Sequence, residues 1–477
     1  MQEQITADIC VIGAGSGGLS VAAGASQMGA NTVLVERHLM GGDCLNTGCI
    51  PSKALLAAAH AAHAVRTAHR FGITTSPPTI DMEQVHAHVH EVIAAIAPHD
   101  SVARFAGLGV RVIQATGRFL NPHELEAGTT RIRARRFVIA TGSRPRIPTI
   151  PGLDNTPFFT NESIFANRQS LPHLLVLGGG PIGLEMAQAH HRLGSQVTVV
   201  ERETFLSRDD PELTAVLQKS LHQEGITFYP GAQVRRIKQT NAKINLTMQT
   251  GSCSEQQIYG THLLVATGRC PNLEALNLDA AGVRHTPDGI GVDAGLRTSN
   301  RRIYALGDVT GPHLFTHVAG YQAGIVLRNA LFRLPAKVDY RTLPRVTYTD
   351  PELAQVGLTE AMARQQGHPV RILTRQFSEN DRARTEKSGV GLIKVVTGRR
   401  GCILGVGIVG PQAGELLAPW ILAMQKNLRL GDLASSILPY PTLAEISKGV
   451  AGTFFTPTLY SERTRKIVKF LLKFTSL

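Results

Sequence analysis

Val11-Ile12-Gly13-Ala14-Gly15-Ser16-Gly17-Gly18-Leu19 decides the fold, because the chain repeats its pattern. A shift of 165 positions turns it into Val176-Leu177-Gly178-Gly179-Gly180-Pro181-Ile182-Gly183-Leu184 without a gap. Under the same shift Gly29 meets Gly194, Val35 meets Val200 and Glu36 meets Glu201. Each copy reads strand, G-x-G-x-x-G, helix, strand, acid, which is a dinucleotide-binding βαβ unit. Gly13 and Gly178 permit the tight turn, and Gly15 and Gly180 let the backbone approach a pyrophosphate. Gly18 and Gly183 let the helix pack close to its strand, so that the helix N-terminus faces the phosphates. Glu36 and Glu201 are placed to accept from ribose hydroxyls. Two such sites imply two dinucleotides, and a flavin in the first with a nicotinamide in the second is one pair that fits. Glu201 would repel a 2′-phosphate and favours NADH, while nearby Arg202 and Arg208 leave NADPH open.

Smaller echoes extend the repeat. Phe137-Val138-Ile139-Ala140-Thr141-Gly142 and Leu263-Leu264-Val265-Ala266-Thr267-Gly268 are buried-strand runs closed by Ala-Thr-Gly. They read as the chain returning out of each nucleotide unit. Arg302 to Asp308 is another strand ending in an acid. Asp308 is placed either to bond a flavin ribityl chain or to cap a helix. After residue 340 the strands Val346–Thr349, Gly391–Val396 and Ile403–Val409, with helices from about Glu415, predict a separate α+β domain.

Between the first fingerprint and the rest lies Gly41-Gly42-Asp43-Cys44-Leu45-Asn46-Thr47-Gly48-Cys49-Ile50-Pro51-Ser52-Lys53. The alanine- and leucine-rich run after it predicts a helix that starts near Cys49. A helix N-terminus favours thiolate over thiol. Two cysteines at this spacing suit a redox pair. A structural pair or half a zinc site is the alternative, although zinc favours tighter spacing and needs more ligands. Cys10, Cys253, Cys270 and Cys402 are scattered singly and read as ordinary core or surface thiols.

The bulk numbers bound the class. The 477 residues suffice for three domains. Six cysteines do not suggest a disulfide-stapled secreted fold. The start, Met1-Gln2-Glu3-Gln4-Ile5, has no signal-peptide pattern, and no apolar run reaches the roughly 18 residues of a membrane span. A cytoplasmic protein is expected. The net charge of +13 comes without a nucleic-acid-binding signature, so no nucleic-acid partner is expected.

Together the Gly41–Lys53 run, both fingerprints, Ala266-Thr267-Gly268-Arg269-Cys270-Pro271-Asn272, Gly307-Asp308 and Pro344 through Gly357 resemble the flavoprotein pyridine nucleotide–disulfide oxidoreductases. That family includes mercuric reductase, dihydrolipoamide dehydrogenase and glutathione reductase. The resemblance implies an α/β fold with two Rossmann-like domains, for FAD and NAD(P), plus a C-terminal α+β dimerisation domain. It divides the chain into residues 1–150 (FAD-binding, with the redox disulfide), 151–270 (NAD(P)-binding), 271–340 (FAD-binding, second part) and 341–477 (dimerisation). Electrons would pass from NADH or NADPH through FAD to a Cys44–Cys49 disulfide. From there they would reach a small acceptor: a disulfide, a metal ion or a quinone. The resemblance makes Cys44 the interchange thiol and Cys49 the charge-transfer thiol. It pairs Lys53 with Glu185 near the flavin, and places Gly42, Thr141, Gly142, Asp308 and Gly268 among the cofactor-binding residues. It also implies a homodimer in which each site borrows residues from the partner's C-terminal region.

Two departures narrow the chemistry. Dihydrolipoamide dehydrogenase and glutathione reductase carry a histidine followed by a glutamate in the borrowed segment. Here Leu438-Pro439-Tyr440-Pro441-Thr442-Leu443-Ala444-Glu445 keeps the glutamate as Glu445 but puts Tyr440 where the histidine belongs, and no histidine follows His368. A phenol is a poor base at neutral pH beside an imidazole. Mercuric reductase shares the tyrosine, and the Asn380-Asp381-Arg382-Ala383 run is similar too. Its C-terminal cysteine pair and N-terminal metal-binding module are not expected here. The last feature is the basic, apolar stretch Ser461 to Phe474, read as a helix that lies on an anionic membrane surface or docks on the dimer. In the membrane reading it would act at the inner face. A redox-sensing flavoprotein at a membrane is the alternative of another class.

Overall fold

Strands Glu3–Ile12, Thr32–Glu36 and Thr130–Ile139 are rich in valine and isoleucine at buried positions. A strand covered on both faces needs such a sequence, and parallel sheets are covered in this way. The computed structural model describes residues 3–241, 243–251 and 255–474; Cys253 and the last three residues, Thr475 to Leu477, lie outside the described residues. Two units are present: Met1–Arg202 with Thr227–Asp339, and Glu203–Ile226 with Tyr340–Leu477.

In the first unit the first fingerprint strand, Glu3–Ile12, lies between Thr32–Glu36 and Thr130–Ile139, parallel to both; Ile12 is in register with Val35 and Ile139. Val110–Gln114 extends the parallel set on one side, and Ile303–Ala305 joins Thr130–Ile139 on the other. The second fingerprint builds its own parallel sheet in the order Thr227–Tyr229, Gln196–Val200, His173–Leu177, His262–Val265. Both Ala-Thr-Gly echoes come after strands that pair with a fingerprint strand. Directly after them the chain forms a short antiparallel ribbon, Ser143–Pro145 against Arg269–Pro271.

The second unit joins the α+β segment after residue 340 with Glu203–Ile226, which the expected division put in the 151–270 segment. Its five-stranded antiparallel sheet runs Pro344–Thr347, Glu352–Gly357, Ile403–Gly410, Leu392–Thr397, Arg371–Gln376. Helix Ala413–Gln425 buries Trp420, whose Nε1 donates to Ser447 Oγ at 3.0 Å. Helix Pro211–Glu224 belongs to this unit, where Leu213 fills the space above Gly407. The buried Lys394 ammonium anchors that helix through Asp210 (3.1 Å) and Glu212 (2.9 Å). The basic tail is helical over Glu462–Leu471, capped by Ser461. Among the described residues no helix is long and apolar enough to cross a membrane.

Candidate active site

The two fingerprints close on the same contacts. Gly13 (φ +105°) and Gly178 (φ +110°) adopt a backbone that side chains rarely take. A Cβ there would collide with the carbonyl oxygens of Ala140 and Ala266 respectively. At Gly18 and Gly183 a Cβ would strike the carbonyl of the first glycine of the same motif. At Gly15 and Gly180 it would meet nothing within 4 Å. Each motif is therefore packed behind and open in front, beside the N-terminus of helix Ser16–Gln27 or Pro181–Arg192, as a pyrophosphate site requires. A Cβ on Gly42 would come within 2.7 Å of Gly15 Cα, so the cysteine run lies directly against the first cradle. Glu36 accepts from the Ala14 amide at 2.6 Å, and Glu201 accepts from the Gly179 amide at 2.7 Å. These residues fit an FAD in the first fingerprint and a nicotinamide dinucleotide in the second.

Cys44 lies on the short helix Gly42–Asn46, and Cys49 is the first residue of helix Cys49–Thr67. The predicted helix start is thus at the cysteine itself. Both are free thiols, and the Cys44 thiol donates to the Cys49 sulfur. That bond is the largest influence on Cys49 and outweighs burial. With help from Thr316 and Lys53 it lowers the Cys49 pKa to about 6. Cys44 is pushed up by the same bond and by burial. Thr316 opens helix Thr316–Ala330, and its Oγ1 lies 3.4 Å from Cys49 Sγ. One sulfur is therefore held as thiolate and the other as thiol.

Four residues further along, Lys53 Nζ reaches Glu185 Oε2 at 2.7 Å, and the Glu185 side chain is only 5% exposed. Glu185 comes from the second fingerprint helix, so the pair expected from the sequence is formed. Asp308 sits in the turn Gly307–Thr310 and takes a 2.5 Å hydrogen bond from Ser143 Oγ. Burial raises its pKa, opposed by Ser143 and by the Arg269 guanidinium. Thr141 and Asn272 exchange hydrogen bonds of 2.9 Å, and Gly142 accepts from the Asn272 amide at 3.0 Å. Gly268 takes a positive φ and accepts from the Arg146 amide at 2.9 Å.

Tyr440 and Glu445 belong to the second unit. The Tyr440 hydroxyl donates to Asp381 Oδ2 at 3.1 Å, and Glu445 opens helix Glu445–Thr453. The Asp381 bond and charge raise the phenol pKa, with a smaller push from Glu445. Asn380 Nδ2 donates to the Thr442 carbonyl at 3.1 Å, so the Asn380–Ala383 run holds the Tyr440 segment. Asp381 and Thr316 were not singled out by sequence reasoning. The only signal for Asp381 was its place in the Asn-Asp-Arg-Ala run, and Thr316 carried none.

Two dinucleotide cradles, with a thiol–thiolate pair against the first, define a flavin- and nicotinamide-dependent disulfide oxidoreductase. The chain belongs to the pyridine nucleotide-disulphide oxidoreductase family, whose model matches residues 7–324. The family's dimerisation domain matches residues 343–451. Over 455 residues the chain is 36% identical to a mercuric reductase of Streptomyces lividans, covering 94% of this chain and 96% of that one. It is 38% identical over 452 residues to a dihydrolipoyl dehydrogenase of Thermus scotoductus, with 92% and 95% covered. Among solved structures it resembles an HOCl-induced flavoprotein disulfide reductase of Escherichia coli, determined alone and as a Cu(II) complex. That match has 26% identity and a TM-score of 0.84, and covers 93% of this chain and 99% of the other. The protein is an oxidoreductase that uses FAD and NAD(P)H.

Proposed function

We propose that the enzyme works in the manner of a mercuric reductase, passing electrons from NAD(P)H to a Cys44–Cys49 disulfide and on to a small acceptor. The acceptor classes are a disulfide, a metal ion taken as substrate, and a quinone. The observation that carries this reading is the asymmetry of the pair: Cys49 is held as thiolate while Cys44 keeps its proton. FAD, when bound, supplies two-electron exchange between nicotinamide and sulfur. Cys49 is assigned to the flavin side and Cys44 to the acceptor. The Lys53–Glu185 pair places a cation near Cys49. Gly13, Gly15, Gly18, Glu36, Gly42, Thr141, Gly142 and Asp308 are assigned to FAD. Gly178, Gly180, Gly183, Glu201 and Gly268 are assigned to the nicotinamide, with NADH favoured by the Glu201 carboxylate. The functional division at residues 1–150, 151–270, 271–340 and 341–477 is proposed with these assignments, although Glu203–Ile226 clusters with the last segment.

Tyr440 and Glu445 are assigned to the acceptor side, across a homodimer. Dihydrolipoamide dehydrogenase is the second reading, favoured by the 38% relative. It is disfavoured by Tyr440, whose proton the Asp381 carboxylate holds more tightly than in a free phenol. Acceptor screening under NADH and under NADPH, with wild type and Cys44→Ser, tests the assignment. The variant should keep nicotinamide-driven flavin reduction and lose acceptor turnover. Full turnover by Cys44→Ser would refute it.

We also assign helix Glu462–Leu471 to a peripheral contact with an anionic membrane at its inner face. Ile467, Phe470 and Leu471 recur at i, i+3 and i+4 and are all exposed, as is Phe474. Arg465, Lys466, Lys469 and Lys473 supply the complementary charge. The helix lies beyond the matched dimerisation segment.

A further inference from the structure

We propose that Arg269 is a positioning residue that sets the oxidation–reduction balance of the Cys44–Cys49 pair by holding Asp43 and cancelling its charge. The inference rests on the reading that those cysteines form the redox disulfide. Asp43 immediately precedes Cys44 on the short helix Gly42–Asn46. Its Oδ1 accepts from Thr47 Oγ1 at 2.7 Å and from Asn161 Nδ2 at 3.0 Å. Its Oδ2 lies 3.1 Å from Arg269 Nη2. Asp43 is one of the groups that push both thiols up, so a bare carboxylate at this place opposes the thiolate.

The Arg269 side chain is only 10% exposed, and every nitrogen of its fork has a partner. Nε donates to Ser143 Oγ at 2.7 Å, Nη2 to the Ser143 carbonyl at 3.0 Å, and Nη1 to Asn161 Oδ1 at 3.3 Å. Ser143 passes the connection on to Asp308, whose Oδ2 is 3.9 Å from Arg269 Nε. One nearly buried guanidinium thus serves a carboxylate beside Cys44 and, through Ser143, a second one at Asp308. The planar fork suits such shared, multidentate duty.

Reduction breaks the Cys44–Cys49 S–S bond with two electrons. Cys44 takes one proton, and Cys49 is left as thiolate. With dithiothreitol as reductant, both electrons come from its thiols as they close to a cyclic disulfide. Of its two protons one goes to Cys44 and one to solvent. The reduced pair carries the negative charge, so an uncancelled Asp43 disfavours reduction and the guanidinium favours it.

The test measures the equilibrium constant for reduction of the flavin-loaded protein by dithiothreitol, in wild type, Arg269→Gln, Asp43→Asn and the double variant. Arg269→Gln should lower the constant about tenfold, equivalent to ~30 mV. Asp43→Asn should raise it, and the double variant should return close to wild type. A change in packing alone would lower both single variants, so Asp43→Asn decides by its sign even if Arg269→Gln folds poorly. An unchanged constant in Arg269→Gln, or a lowered one in Asp43→Asn, overturns the inference. A wild type with no dithiothreitol-titratable pair would instead overturn the disulfide reading on which it rests.

Discussion

Replacing Cys44 by alanine should raise the pKa of Cys49, and replacing it by serine should not. The largest influence holding the Cys49 pKa to about 6, against an ordinary value of 9.0, is the hydrogen bond from Cys44. With a pKa of about 6, roughly 90% of Cys49 is thiolate at pH 7, whereas a thiol at 9.0 would be about 1% ionised. Alanine removes the donor and leaves burial and Asp43, which raise the pKa, against Thr316 and the Lys53 ammonium, so the midpoint should move above pH 7. Serine keeps an O–H donor and should hold the midpoint near that of wild type. The assay is the pH dependence of iodoacetamide capture, read by mass spectrometry on the peptide that carries Cys49. The midpoint is the quantity to compare, because a thiolate's intrinsic nucleophilicity falls with its pKa and partly offsets the change in rate. The sign is that of an acid with a depressed pKa: capture rises as pH passes the midpoint and is flat above it. Equal midpoints in Cys44→Ala and Cys44→Ser would refute the reasoning, since the thiolate would then owe nothing to its neighbour.

Tyr440→His should raise dihydrolipoamide turnover by about a hundredfold, the lower end of the usual range for a positioned acid–base group; robust wild-type turnover of dihydrolipoamide would contradict this. Burial lowers the pKa of His190 to about 4, and its Nε2 has no hydrogen-bond partner among the described residues. The unfolded chain therefore binds more protons than the folded one between about pH 6.5 and 4, and stability must fall as pH falls through that window. Denaturation at pH 7 and pH 4.5 should show less acid loss in His190→Leu than in wild type, by at most about 3 kcal/mol. Removing residues after Tyr460 should abolish flotation with anionic vesicles while leaving the dimer intact in sedimentation. Equal flotation of both forms, or a dimer lost with the helix, would reject the membrane contact.

Much of the fold was legible because its signals are local. The double fingerprint places two strand–turn–helix units, and the glycines are needed for contacts inside each motif. The start of the redox helix at Cys49 and the strands of the α+β domain come from period and composition. The parts that stayed hidden depend on tertiary placement. Thr316 is 267 positions from Cys49 and carries no motif. Helix Pro211–Glu224 continues from the second fingerprint in sequence, but Asp210 and Lys394 fix it in the second unit. Lys394 reads in sequence as an ordinary strand lysine, and only the fold brings three carboxylates to it.

The Ala-Thr-Gly echoes were legible as a repeat, yet their meaning lies in the residue next to each. Ser143 succeeds the first and Arg269 the second, and these residues bond each other. The ribbon they form brings the exit of one nucleotide unit to the exit of the other. A repeat alone would put equivalent residues at equivalent places. Here the two copies differ at the position after Ala-Thr-Gly, and that difference makes a donor–acceptor pair where they meet. That pair carries a cation to Asp43. The same run places an acid directly before the reactive cysteine, a choice that local electrostatics would penalise. In the proposed coupling the Asp43 charge beside Cys44 is offset by Arg269, so the two positions should be altered together in any redesign of this site.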